Sequence, residues 1–295
     1  MPANFSLAGG RRRGHSQAVF TTRLTAMRLQ IASTSYLTGQ RAGAHAATRR
    51  AEIALAAACA ALALLAALLP ITHLPAGYHD FADQRGWLGL PHAMDVLSNL
   101  LFALIGGWGL LWLRRWPSCR VGAAQRALAG VFFVGLLLTA LCSSIYHWTP
   151  GDAGLCIDRL GMSAAFAGLL GLAAADRVSQ RAGWALAAGL AVAAPATAWI
   201  ALTGNMTPWA ALQGGALALL AALALRRPQQ GALGFSIAAV IALYALAKAL
   251  ELADAPVFEL THGLISGHSA KHVAAALAAW PVARALRLRV GTIGG

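Results

Sequence analysis

This sequence is short of charge. Charged residues fill 11% of its 295 positions while 58% are hydrophobic, and a soluble domain carries about 25% charged residues. That shortage argues against an ordinary soluble protein and for one that resides in a membrane. Acids are the scarcer sign, with 10 aspartates and glutamates against 23 lysines and arginines. Cysteine is rare too, and Cys59, Cys119, Cys142 and Cys156 show no CxxC spacing. The favoured reading makes them small apolar residues in helices, and a Cys142–Cys156 bridge between neighbouring helix ends is the other. Residues 1–50 lack acids and also lack the 7–15-residue apolar core of a signal peptide. They read as an Arg-rich disordered cytoplasmic tail, or as an upstream extension of a chain that starts at Met27.

Long apolar runs, by contrast, are plentiful. Windows of the roughly 17 to 25 residues needed to cross a bilayer fall near 51–70, 95–113, 128–147, 157–175, 183–203, 208–225, 233–250 and 262–282. The expected fold is an all-α polytopic bundle of about eight spans. Its domains would be the tail at 1–50, an extra helix at 51–70 and a core at 71–295.

Arginines mark alternate connections: eight in the tail, then Arg114, Arg115, Arg120 and Arg126, then Arg177 and Arg181, Arg226 and Arg227, and Arg284, Arg287 and Arg289. The other connections hold Asp80, Asp83, Asp95, Asp152, Asp158, Glu251, Asp254 and Glu259. The positive-inside rule then sets both termini in the cytoplasm of a multi-pass cell-membrane protein, with the acidic loops outside. A charge excess arranged in this way is a solvated face of a membrane protein and argues against nucleic-acid binding.

The third apolar window closes on "SSIYHWTP", an abrupt polar end to a greasy run. Ser143 and His147 are four apart and share a helix face. The turn at Pro150-Gly151 leads back inward to Asp158. The last window carries "HSAKH", where His268 and His272 are also i and i+4, about 9–15 Å below the start of the span at 1.5 Å per residue. Three helices would thus bring three histidines, a carboxylate and a serine to the outer part of the membrane. Three imidazoles with a fourth position open is the arrangement of catalytic zinc. The blander reading has each histidine as an interfacial residue and Asp158 capping its helix or pairing with Arg159 or Lys271. Ionisable groups inside spans are costly, about 2.5–3.5 kcal/mol at the centre, and tend to be functional.

These residues resemble the alkaline ceramidases and their wider superfamily of seven-helix membrane hydrolases (CREST), which also holds the progestin and adipoQ receptors. The resemblance rests on Ser143 and His147 in "SSIYH", Asp158 in "CIDRLGM", His268 and His272 in "HSAKH", and "DVLSNLLF" at 95–102. It covers about 78–282. It implies a seven-helix core in which His147, His268 and His272 hold zinc, Asp158 is the general acid/base and Ser143 stabilises the oxyanion. It further implies a calcium site before the core's first helix, where "YHDFADQRGWLGLPHAMD" offers Asp80 and Asp83 as partial counterparts. Arg85 and His92 stand where that family offers oxygen, and calcium prefers six to eight oxygens. An Asp83–Arg85 surface pair is the competing reading of the same residues.

The function expected on these grounds is zinc-dependent hydrolysis of the amide bond in ceramide or a related N-acyl membrane lipid, with no obligate protein partner. The rivals are a lipid ester hydrolase and a receptor-like protein with a non-catalytic zinc. A metal transporter would need polar groups along a whole path, and the inner halves of these segments are nearly pure Ala, Leu and Val.

Overall fold

The computed structural model describes residues 43–115 and 122–291. The chain divides between Ala51 and Glu52 into two units, and of the first only the opening of a helix is described. That helix, α1 (Gly43–Leu68), starts eight residues before the expected boundary at 51. Its first turns, "GAHAATRR", are rich in alanine, the strongest helix former. The rest of the expected tail, residues 1–42, lies outside the described residues, as does Cys119.

After α1 the chain runs through α2 (Ala93–Ser98), α3 (Leu100–Arg114), α4 (Ala123–Trp148), α5 (Asp152–Arg177) and α6 (Gln180–Ile200). It continues as α7 (Thr207–Ala224), α8 (Ile237–Leu252), α9 (Asp254–Leu260), α10 (Gly267–Leu277) and α11 (Trp280–Gly291). Among the described residues there is no strand beyond an isolated Trp87–Leu90 bridge. The protein is an all-α polytopic helical bundle.

Among the described residues six helices are long and apolar enough to cross a membrane: α1, the α2–α3 pair, α4, α5, α6 with its 3-10 end, and α7. Their outward faces stay apolar, with Val192 72% and Trp199 67% exposed. Such a surface suits lipid rather than water.

The last two expected spans take a different form. The window at 233–250 becomes a helix only from Ser236, whose hydroxyl accepts the amide of Ala239 at 3.2 Å. The resulting α8 is 16 residues long. The window at 262–282 is split. A turn through His262 and Gly263, both at positive φ, precedes Ser266, which caps α10 by accepting from the Ser269 amide at 2.9 Å. Pro281 then separates α10 from α11, because it has no N–H for the Leu277 carbonyl and its ring crowds that turn. Hydropathy alone does not register these breaks.

The hairpin of α4 and α5 positions the chemistry. These helices make the most extensive packing in the bundle. Their backbones touch: a Cβ on Gly168 would lie 2.3 Å from the amide nitrogen of Phe132. Small residues allow this approach, which is how helices pack where lipid removes the hydrophobic drive. One end of the hairpin carries His147 and Asp158. The opposite end carries Arg177, whose guanidinium donates to the carbonyls of Phe235 at 2.8 Å and Arg226 at 3.0 Å.

Candidate metal centre

His147 enters from the last turn of α4, and His268 and His272 from α10. All three are buried, and their ring nitrogens lie within 4.8 Å of one another. Ring centroids are 4.8 Å apart for His147 and His268, 4.9 Å for His147 and His272, and 5.1 Å for His268 and His272. Nε2 of His268 faces Nε2 of His147 at 3.3 Å. Two zinc–nitrogen bonds at a tetrahedral angle separate their nitrogens by about 3.3 Å.

The surroundings of the His272 ring also suit a metal ligand. The Ser98 hydroxyl donates to the Asp95 carbonyl at 2.9 Å, so toward His272 Nδ1, at 2.8 Å, it can only accept. That puts the His272 proton on Nδ1 and leaves the Nε2 lone pair free, as a ligand histidine requires. Nδ1 of His147, the nitrogen turned away from His268, is buried with no hydrogen-bond partner among the described residues, so this ring lacks the outer-sphere hold that His272 has. Three imidazoles without a thiolate or carboxylate among them form a donor set that fits zinc, and the triad could hold a metal ion.

Phe81 closes one side. Its ring packs 4.8 Å from His147 and 4.2 Å from His268. The loop bearing Phe81 is tied to α10 by one carboxylate. Asp254 accepts the Ala82 amide on Oδ2 at 2.9 Å and the His268 amide on Oδ1 at 2.7 Å. Gly267 is needed just before, since a Cβ there would come within 2.4 Å of the Leu250 carbonyl oxygen. Further down, Ser269 donates to the buried Asp95 at 2.6 Å and fixes α10 against α2.

Beside the histidines is a cavity of about 250 Å³ whose wall includes His268, His272, Ser143 and Asp158. Ser143 is buried and hydrogen-bonds Asp158. A hydroxyl against a carboxylate donates, so the Ser143 proton is committed to Asp158 here. A second cavity of about 100 Å³, almost entirely apolar, shares Phe102, Met162, Tyr244 and Ala275 with the first and extends between α4, α5 and α7.

Of the sequence-derived site residues, His147, His268 and His272 come together, with Ser143 and Asp158 on the adjoining wall. Asp80 and Asp83 do not join them or each other. Asp80 is exposed. Both Asp83 oxygens are held by Arg85, with Nε at 2.7 Å from Oδ1 and Nη2 at 2.6 Å from Oδ2. Arg85 also donates to the Leu264 carbonyl at 3.1 Å. A guanidinium therefore occupies the position a cation would need, and the pairing reading describes these residues. Among the described residues the histidine triad is the one group of three or more His, Cys, Asp or Glu side chains with converging ligand atoms. Cys142 and Cys156 are free thiols, so the alternative bridge is not formed.

Sequence reasoning assigned no role to Ser98, Phe81, Asp254 or Ser269. Ser98 stands inside "DVLSNLLF", and Asp254 counts in the sequence only as one acid of an outer loop. No spacing links either to a histidine more than ten residues away. No protein-family model matches the chain, and no curated protein matches it.

Proposed function

We propose that this chain is a zinc-dependent intramembrane hydrolase cleaving the amide bond of ceramide or a related N-acyl lipid, as its resemblance to the alkaline ceramidases implies. One observation carries the reading. His268 and His272 of a buried three-histidine cluster, a carboxylate and a hydroxyl border the same cavity, and that cavity adjoins an apolar one suited to an acyl chain. A receptor-like protein with a non-catalytic zinc needs neither Asp158 nor Ser143 beside its histidines. An ester hydrolase needs the same groups, and only the choice of substrate separates it.

Zinc bound by His147, His268 and His272 would supply Lewis acidity, polarising a carbonyl and acidifying water. The protein's own residues do the rest. Asp158 takes a proton from the attacking water and returns one to the leaving amine. Ser143, held on Asp158 at rest, orients that carboxylate. Its hydroxyl turns to the developing oxyanion once Asp158 is protonated and no longer needs its donor. Phe81 keeps bulk water from the imidazoles. In the same reading the arginine-rich end of the bundle is cytoplasmic, both termini included, and the cavity lies toward the outer face.

The test is fatty-acid release from an N-acyl sphingoid lipid in detergent, with zinc measured on every variant. His268→Ala loses zinc and turnover together. Asp158→Asn keeps zinc and loses about 10²–10⁴-fold in rate, and Ser143→Ala loses up to about 10²–10³-fold. Zinc-loaded wild-type protein that hydrolyses neither amide nor ester lipids overturns the reading in favour of the receptor-like one.

A further inference from the structure

Four basic residues fall outside the arginine-rich connections: Arg85, Arg159, Lys248 and Lys271. Arg85 is consumed by Asp83. The other three line the cavity beside the histidines. Only two carboxylates share that wall, Asp158 and Glu251. Glu251 accepts from Lys271 at 2.7 Å and also from Lys248. Asp158 is engaged by Ser143.

Arg159 is left over. It is 5% exposed, yet no carboxylate among the described residues lies within ion-pair distance of it. Its Nη1 donates to the sulfur of Met206 at 3.1 Å, a weak acceptor. Its guanidinium carbon lies 5.3 Å from the Trp209 ring centre, and a further hydrogen bond goes to Tyr78. Of its five fixed donors, those bonds use two, one of them on a weak acceptor, and neither partner is a carboxylate. Asp158 acts on it from beyond ion-pair distance, and a buried charge with no carboxylate in contact is costly, a cost that a bound anion would offset. The planar fork of arginine matches a carboxylate or phosphate.

We propose that Arg159 is an anion subsite of this cavity, so that the lipid it takes is an N-acyl lipid with a phosphate or carboxylate in its head group. The substrate class rests on the hydrolase reading; the anion subsite does not. The adjoining apolar cavity makes the source a lipid rather than a free anion, since it gives a chain attached to the anionic group somewhere to go.

The test titrates zinc-loaded protein in a neutral detergent with dodecyl phosphate, dodecanol and inorganic phosphate, following thermal stabilisation. Dodecyl phosphate binds the wild type at least about tenfold more tightly than dodecanol, since hydrogen bonds to a charged group are worth that much or more. Arg159→Gln abolishes this preference. Arg159→Lys, which keeps the buried charge if the glutamine variant does not fold, retains part of it. An undiminished preference in both variants overturns the proposal, and so does a preference lost only in His268→Ala, which would put the anion on the metal centre. Inorganic phosphate binding as tightly as dodecyl phosphate overturns the lipid source.

Turnover of N-acyl lipids with matched chains and neutral or phosphorylated head groups separates the two readings. A dodecyl phosphate preference without hydrolysis of either lipid sinks the hydrolase and leaves the subsite. Equal kcat/KM for both lipids without that preference does the reverse.

Discussion

The Ser98 hydroxyl of α2 lies 2.8 Å from Nδ1 of His272 on α10 and donates its own hydrogen bond to the Asp95 carbonyl. One short relay thereby fixes the tautomer and ring plane of an imidazole 174 residues away in sequence. Outer-sphere partners of this kind are worth about 10–100-fold in metal affinity. Ser98→Ala should weaken zinc binding by about that factor in a chelator competition. Ser98→Thr, which keeps the hydroxyl, should stay near wild type.

Asp254 joins the Phe81 loop to the start of α10 through two backbone amides. Hydrogen bonds to a charged group contribute about 1.5–3 kcal/mol each. Asp254→Ala should lower the unfolding temperature in detergent by several degrees and reduce zinc retention, because both Phe81 and His268 lose their anchor. Asp254→Asn keeps one acceptor and should fall between. An Asp254→Ala protein with wild-type melting and full zinc would show that the loop is held elsewhere.

The Asp83–Arg85 pair should leave a pH signature. Burial pushes the Asp83 carboxyl upward, but the hydrogen bonds and charge of Arg85 outweigh this and hold its pKa below the ordinary carboxylate value. A carboxyl depressed in the folded state stabilises it above the unfolded pKa, and the stabilisation is lost as pH falls through the lowered value. Melting temperature should therefore drop on acidification below about pH 4, and Asp83→Asn should lose that part of the slope. Arg85 is half exposed, so salt should weaken the effect.

Reporter fusions at the C-terminus should be active only with a cytoplasmic reporter, since arginines crowd alternate connections, Arg177 and Arg226 among them at the end of the α4–α5 hairpin opposite His147. Activity of a periplasmic or extracellular reporter instead would invert the orientation and place the cavity toward the cytoplasm.

Composition and periodicity are enough to specify a membrane bundle here, because each helix reads its own hydropathy locally and every span must satisfy its own backbone. The pairs Ser143/His147 and His268/His272 are legible for the same reason, since i and i+4 share a face wherever the helix goes. Only the tertiary structure decides what these pairs meet. The close approach of α4 and α5 at Gly168 sets His147 and Asp158 at one end of the hairpin. The turn at His262–Gly263 and the break at Pro281 shorten the last expected span to the 11 residues of α10, which present His268 and His272. Ser98, Phe81 and Asp254 become part of the centre through contacts between segments far apart in the chain. Arg159 is the clearest case. In the sequence it is one basic residue beside an aspartate. In the fold that aspartate is held by a serine, and the arginine remains as a buried positive charge on the cavity wall. Pairing between charges depends on distance through space, which hydropathy and spacing along one helix do not encode.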